Sequence, residues 1–240
     1  MGILETKYLY VILLILSVSF PLTFSWDKRF NYFKKWTAVF VGCLAMMAIF
    51  IPWDIWFAKE KVWWFNHDYT LGKDIIHLPL EEWLFFIVIP FSCIFIYESI
   101  NYFIPKLMPL MLSRGLTIVS AASLGVLAIL YQDGLYTFIV SIYTAVLLLV
   151  SYVKKPTWMP NFWLMYVISW IPFLLVNGGL TGLFTTNALV NYNSTEITGF
   201  RIGTIPIEDG IYSLGMLLTV TWVYEIYNSR ASHSALPRLK

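Results

Sequence analysis

Charge is what this chain has least of. Only 12% of its 240 residues are Asp, Glu, Lys or Arg, about half the share of a soluble domain. The net charge of +2 comes without any basic tract interleaved with aromatics, so no nucleic-acid partner is expected. Cysteine is scarce as well. Cys43 and Cys93 both lie inside apolar runs, where packing is the expected role and a disulfide framework is not. There is no G-x-G-x-x-G, no Lys in the last apolar run, no pair of Asp-rich motifs and no Ser-His-Asp or Cys-His set. These gaps count against a dinucleotide, a retinal Schiff base, a magnesium-diphosphate prenyltransferase and a hydrolase triad. His67 and His77 have no third ligand at metal spacing and read as interfacial residues. No cofactor or metal is expected.

What the chain does have is hydrocarbon: 59% of it is hydrophobic and 18% aromatic. A helix crosses a bilayer with about 20 apolar residues. Seven such runs are legible, at 8–25, 36–57, 80–101, 115–131, 134–152, 162–182 and 207–227. The expected fold is an all-α integral membrane protein in the lipid bilayer, with about seven transmembrane helices. Pro21, Pro52, Pro90 and Pro172 fall within or at the ends of these runs and predict kinks. The first run precedes Phe24-Ser25-Trp26-Asp27, which is no small-residue cleavage site, and reads as a retained span. The aromatic share exceeds what interfacial belts use, so part of it is expected to line a cavity.

One motif occurs twice. Leu78-Pro79-Leu80-Glu81-Glu82 returns as Ile205-Pro206-Ile207-Glu208-Asp209, and each copy opens an apolar run that closes on Tyr-Glu, at Tyr97-Glu98 and Tyr224-Glu225. Pro79 to Pro206 and Tyr97 to Tyr224 are both displacements of 127 residues. The same displacement maps the first three spans onto the last three. The chain is therefore divided into a first repeat at 1–105, a linking helix at 106–132, and a second repeat with a basic tail at 133–240. The repeats start an even number of spans apart, so they run parallel and place both acidic motifs at one membrane face. Eleven of the 16 Lys and Arg lie in segments on the opposite face. That bias predicts a cytoplasmic C-terminus, with the bacterial cytoplasmic membrane as the expected location.

Carboxyl groups beside hydrocarbon are costly to keep, and two pairs in register suggest chemistry. A proline followed by acids also suits the first turn of a helix, so capping is the plainer alternative for each pair. Glu98 and Glu225 lie about 25 Å further along their helices at 1.5 Å per residue, too far to share the site. Asp54, in Pro52-Trp53-Asp54-Ile55-Trp56, is either a third acid or an interfacial anchor. Asn177 is a candidate to hydrogen-bond a carboxyl group. Arg201 either pairs with Asp209 or is a solvated loop residue. Acid, aromatics and a hydrocarbon solvent suit protonation of a carbon–carbon double bond in an apolar substrate. Burial favours the neutral form of a carboxyl group. Aromatic faces stabilise a cation by roughly 0.5–2 kcal/mol each, and water must be kept away from it.

Several segments together resemble the small membrane-embedded lycopene cyclase domain, in the form that fuses two subunits into one chain. They are Pro52-Trp53-Asp54, Trp63-Trp64-Phe65-Asn66, Gly72 and Leu78 to Phe86 in the first half. In the second half they are Asn177-Gly178, Leu180-Thr181-Gly182, Tyr192-Asn193, Gly199, Arg201 to Asp209, and Tyr212. The resemblance implies a carotenoid cyclase, an isomerase of the intramolecular lyase kind, which closes the ψ-ends of lycopene into β-rings without net redox change. It implies lycopene as the substrate and allows other carotenoid-biosynthesis enzymes as partners. By motif it carries over Glu81, Glu82, Glu208, Asp209 and Asp54 as acids, with Glu81 and Glu208 favoured as proton donor and partner. Trp53, Trp56, Trp63, Phe65, Asn177, Tyr192, Arg201 and Tyr212 are expected around the substrate. Gly210-Ile211 departs from the aromatic residues common after the second acidic pair. Three other readings stay open: a cyclase of another carotenoid end group, monocyclic or C50; a membrane transporter or proton pathway; and a pigment-binding module without turnover.

Overall fold

The computed structural model describes residues 5–29, 31–105 and 107–234, the last four as backbone only. Arg238 and Lys240 of the basic tail lie outside the described residues. Among the described residues seven α-helices follow one another: α1 (Leu9–Phe24), α2 (Trp36–Lys59), α3 (Leu80–Phe103), α4 (Leu110–Leu130), α5 (Leu135–Lys154), α6 (Met159–Leu180) and α7 (Ile207–Ser234). Five of them, α2 to α6, are long and apolar enough to cross a membrane. α1 is apolar but has 16 residues, about 24 Å of rise against a hydrocarbon core of about 30 Å.

α7 is less apolar because it carries Glu208, Asp209, Glu225 and a polar end from Asn228, and its middle is enclosed by protein. Leu214 to Thr221 are buried without interruption, and Gly215, Thr219 and Thr221 replace bulkier apolar residues. A helix enclosed by protein has no lipid-facing stripe to keep greasy. α7 packs along α2 and α5 and also touches α3 and α6, while α3 packs along α1, α6 and α2. A Cβ at Gly42 of α2 would come 3.1 Å from the Val220 carbonyl oxygen, so the α2–α7 approach depends on that glycine.

Six short strands, all in loops, complete the architecture. β2 (Asp74–Ile75) pairs with β3 (Leu78–Pro79), and β5 (Arg201–Ile202) pairs with β6 (Ile205–Pro206). Each hairpin runs straight into an acid-bearing helix, with Pro79 before α3 and Pro206 before α7. Pro79 sits at φ −54°, a value its ring imposes. The turn between β2 and β3 holds Ile76 at φ 49° and His77 at φ 68°, whereas its counterpart uses Gly203 at φ 63°. The remaining ribbon joins the two halves. β1 (Trp63–Phe65) pairs antiparallel with β4 (Val190–Tyr192), with Trp63 opposite Tyr192.

Candidate functional site

The acid-bearing helix starts meet one cavity of about 340 Å³, within the range of about 300–1,000 Å³ usual for ligand pockets. Glu82, Asp209 and Asp54 all line it, and each is less than a tenth exposed. Tyr10, Tyr136, Tyr192 and Tyr212 stand around them, with Trp63, Phe65 and Phe85. The β1–β4 ribbon contributes Trp63, Phe65, Val190 and Tyr192. Its hydrogen bonds from Asn66 N to Leu189 O and from Asn193 N to Val62 O hold this cover over the acid end.

Consecutive residues on a helix point about 100° apart, so the two members of each acidic pair face different surroundings. Glu82 and Asp209 turn inward. Glu81 and Glu208 are fully buried but turn to the loops. The backbone N–H of Leu71 donates to Glu81 Oε1 at 2.6 Å, and that of Thr198 donates to Glu208 Oε1 at 2.6 Å. Both donors stand ten residues upstream of their acceptor, and the two contacts are 127 residues apart. Thr137 Oγ1 also donates to Glu208 Oε1, at 2.7 Å. Neither carboxyl is in the cavity wall; each ties a hairpin loop to its helix.

The inward carboxyls are held differently. Tyr10 donates to Glu82 Oε2 at 2.6 Å, and Tyr212 donates to Asp54 Oδ1 at 2.7 Å. Glu82 Oε1 and Asp54 Oδ2 have no hydrogen-bond partner among the described residues. Asp209 has both oxygens engaged: Tyr136 donates to Oδ1 at 2.8 Å, and Asn177 and Tyr192 donate to Oδ2 at 2.7 Å each. Glu82 interacts electrostatically with both Asp54 and Asp209. Burial, and then the charge of Asp209, pushes the Tyr192 hydroxyl well above its ordinary pKa, so this ring stays a protonated donor.

Of the residues expected around a substrate, Trp63, Phe65, Asn177, Tyr192 and Tyr212 line the cavity. Three do not. Trp56 is two positions from Asp54, on the far side of α2, and is 42% exposed. Trp53 is buried behind the wall, stacked on Phe50 and edge-on to Tyr212. Arg201 forms no ion pair with Asp209; its guanidinium donates to the Thr204 carbonyl at 2.6 Å and lies 5.7 Å from the Tyr192 ring centre. Neutral donors occupy the positions around Asp209 that a cation would need. Tyr10 and Tyr136 were not anticipated. Their signal was a tyrosine near the start of each of two related helices, offset by 126 residues instead of 127. Among the described residues no group of three His, Cys, Asp or Glu is arranged to hold a metal ion.

A second carboxyl cluster sits at the far ends of α3 and α7. Tyr97 donates to Glu225 at 2.5 Å and Tyr224 donates to Glu98 at 2.7 Å. Lys35 pairs with Glu98.

The sequence profile of the family described as lycopene cyclase matches residues 7–100 and again residues 133–227. A bifunctional lycopene cyclase/phytoene synthase of Arthroderma gypseum is 30% identical over 59 residues, which cover 25% of this chain and 10% of that protein. The match thus spans about a tenth of the length of that curated relative. No solved structure matches. Two profile matches that together take in more than half of the chain, both running through the helices that carry the inward acids, establish that it belongs to the lycopene cyclase family.

Proposed function

We propose that the chain cyclises the linear ends of lycopene to β-rings, with Glu82 as proton donor and Asp209 as the base that ends the reaction. The observation that carries this reading is that carboxyl groups from both halves face one aromatic-walled cavity. Donating a proton to carbon requires a carboxylic acid with an oxygen free to approach the substrate. Glu82 lines the cavity, and Tyr10 fixes its Oε2, which leaves Oε1 without a hydrogen-bond partner among the described residues. The proton goes to C2, leaving a cation at C1. The C5=C6 electron pair attacks C1, closing the C1–C6 bond and moving the cation to C5. Loss of the C6 proton to Asp209 restores the C5=C6 double bond. Returning that proton to Glu82 resets the site, and nothing is oxidised or reduced.

Asp209 suits the accepting role because three donors fix it without neutralising it. Tyr136, Tyr192, Tyr212 and Trp63 line the cavity beside the acids, and aromatic rings stabilise a developing cation. Asp54 lines the same cavity on the donor side, with its Oδ1 held by Tyr212. Glu81 and Glu208 act as positioning residues that seat the covering loops. In this reading all seven helices span the bilayer as two parallel three-helix repeats, 1–105 and 133–240, joined by the helix within 106–132. The bacterial cytoplasmic membrane with a cytoplasmic C-terminus is the location that the Lys and Arg bias supports. A transporter is less favoured, since the acids start helices near one face and no helix is broken at mid-span.

Expression in a lycopene-accumulating bacterium, followed by pigment chromatography, tests the proposal. Cyclic carotenes are expected from the wild type, and unchanged lycopene from Glu82→Gln and Asp209→Asn at equal membrane abundance. Unconverted lycopene beside abundant wild-type protein would overturn it.

A further inference from the structure

The cavity is longer than the acid cluster requires. On α3 its wall runs from Glu82 to Ile96, fourteen residues and about 21 Å of rise. It therefore extends well past the middle of a hydrocarbon core of about 30 Å. Beyond the carboxyls the lining turns small or apolar, with Ser92 and Cys93 on α3, Ser169 on α6, and Ser213 and Met216 on α7. Two of these serine hydroxyls are engaged by backbone carbonyls: Ser92 donates to the Ser17 and Val88 carbonyls, and Ser169 to the Tyr166 carbonyl. The result is a passage with no charged group past the carboxyls.

The passage is closed at the acid end and open at its side. At the acid end the β1–β4 ribbon covers it, and α1 meets α6 so closely that a Cβ at Gly179 would lie 3.0 Å from Leu13 Cδ1. Deeper in, the wall of the same two helices includes exposed residues. Leu16 and Phe20 of α1 line the cavity while 66% and 61% exposed, and Pro172 of α6 is exposed there too. Pro21 and Pro172 each sit inside their helix and remove one backbone hydrogen bond, beside the point where α1 and α6 stop covering the cavity. The opening carries no charged group, and it falls within the apolar length of both helices.

We propose that the gap between α1 and α6 is a lateral portal through which a linear isoprenoid polyene slides in from the bilayer, end first, until its tip reaches the carboxyls. The carboxyl destination rests on the cyclase reading; the passage and its opening do not. An apolar chain dissolved in lipid then never crosses water, and the acid end stays covered during entry. The length of the passage holds the polyene in line behind the reacting tip.

The test reads loading, not turnover. Protein carrying Glu82→Gln, in vesicles, is mixed with vesicles containing lycopene, and pigment retained per purified chain is followed with time. Phe173, next to Pro172 on α6, also lines the cavity, and a Leu16→Trp, Phe173→Trp double variant is expected to slow loading about tenfold, within the one to three decades over which on-rates vary among variants of one complex. Phe20→Ala, which widens the opening, is expected to speed loading, a direction that general damage does not produce. Leu130→Trp, on a lipid-facing position of α4 that is 70% exposed, is the control and leaves loading unchanged. Equal loading by the double variant and the control overturns the portal, as does slower loading by Phe20→Ala or the absence of retained pigment. A wild type that never cyclises, in a protein whose loading follows this pattern, loses the cyclase reading and keeps the portal. Normal cyclisation with loading indifferent to both portal changes does the reverse.

Discussion

The two acid-bearing helix starts have the same backbone and different carboxyl surroundings. In both, a two-stranded hairpin ends in proline, the next residue but one is an acid that anchors a loop N–H, and the acid after it faces the cavity. At the first, the inward Glu82 has one donor and shares the cavity with Asp54. At the second, the inward Asp209 has three donors and no acidic neighbour on α6, where Asn177 stands instead. Repetition supplied the scaffold. Divergence in the surrounding tyrosines and the asparagine left Glu82 with one donor and Asp209 with three, and the proposed mechanism rests on that difference.

The largest effects fall on that separation. Removing a positioned general acid or base costs about 10²–10⁴-fold, so Glu82→Gln and Asp209→Asn are both expected to lose turnover on that scale. Deuterium tells them apart. In D₂O, Glu82→Gln returns unlabelled lycopene because no proton reaches C2. Asp209→Asn still protonates and returns some lycopene labelled at the terminal double bond, since the cation reverts when its base is missing. Label appearing in the Glu82 variant and not in the Asp209 variant would exchange the two roles.

The shells around these acids come next. Tyr136→Phe, Tyr192→Phe and Asn177→Leu each take one donor from Asp209. Hydrogen bonds to charged groups contribute about 1.5–3 kcal/mol, and each 1.36 kcal/mol is tenfold in rate, so losses of roughly ten- to a hundredfold in kcat are expected. Tyr10→Phe leaves Glu82 its donating oxygen and only loosens its aim, so a smaller loss is expected. If Tyr10→Phe proves as damaging as the three together, Glu82 depends on its shell as much as Asp209 does, and the contrast between the halves fails. Steady-state kinetics on membranes of equal protein content decide it.

Loop anchoring ranks below the chemistry. Glu81→Ala and Glu208→Ala each leave a loop N–H without its acceptor, a cost of about 1–3 kcal/mol for a buried group. Glu208 also loses Thr137, so the second position is expected to be the more destabilised in a thermal melt. Gln at either site retains an acceptor oxygen and should recover most of the stability and turnover. A Glu81→Gln chain that is stable yet inactive would return Glu81 to the proton path.

Much of this was legible in the sequence, and the parts that were not have physical reasons. Six of the seven apolar runs began within three residues of the observed helices because proline or a charged loop marks those boundaries. The fourth was placed five residues late: Arg114 reads as a break in hydropathy, but Pro109 already starts the helix there. The acids were found because carboxyls beside hydrocarbon stand out against their background. Which of each pair faces inward was not visible, since a loop N–H ten residues upstream decides it. Tyr10 and Tyr136 were hidden because a tyrosine in an aromatic-rich span carries no contrast. Arg201 drew attention as a lone cation near two acids, yet the loop directs it to a carbonyl and a ring face.

The smallest effect on turnover is expected at the far ends of the same two helices, where the halves again share a backbone and differ in partners. Glu98, 4% exposed, is held by Lys35, Tyr224 and Asn101, while Tyr97 bonds Glu225 on α7. The tyrosine of each helix reaches the glutamate of the other, so the cluster clamps α3 to α7 across the molecule and lies about 24 Å from the inward acids by helical rise. Glu98→Gln removes the charge that Lys35 faces and should lower thermal stability more than Glu225→Gln, whose carboxyl has fewer neighbours. Neither should change kcat per folded chain. The pair thereby separates clamp from catalyst: a melting temperature that falls with kcat intact places the far carboxyls in the scaffold. A kcat that falls with stability intact would couple the two ends of the helices, and the division of labour drawn from the near ends would have to extend along their whole length.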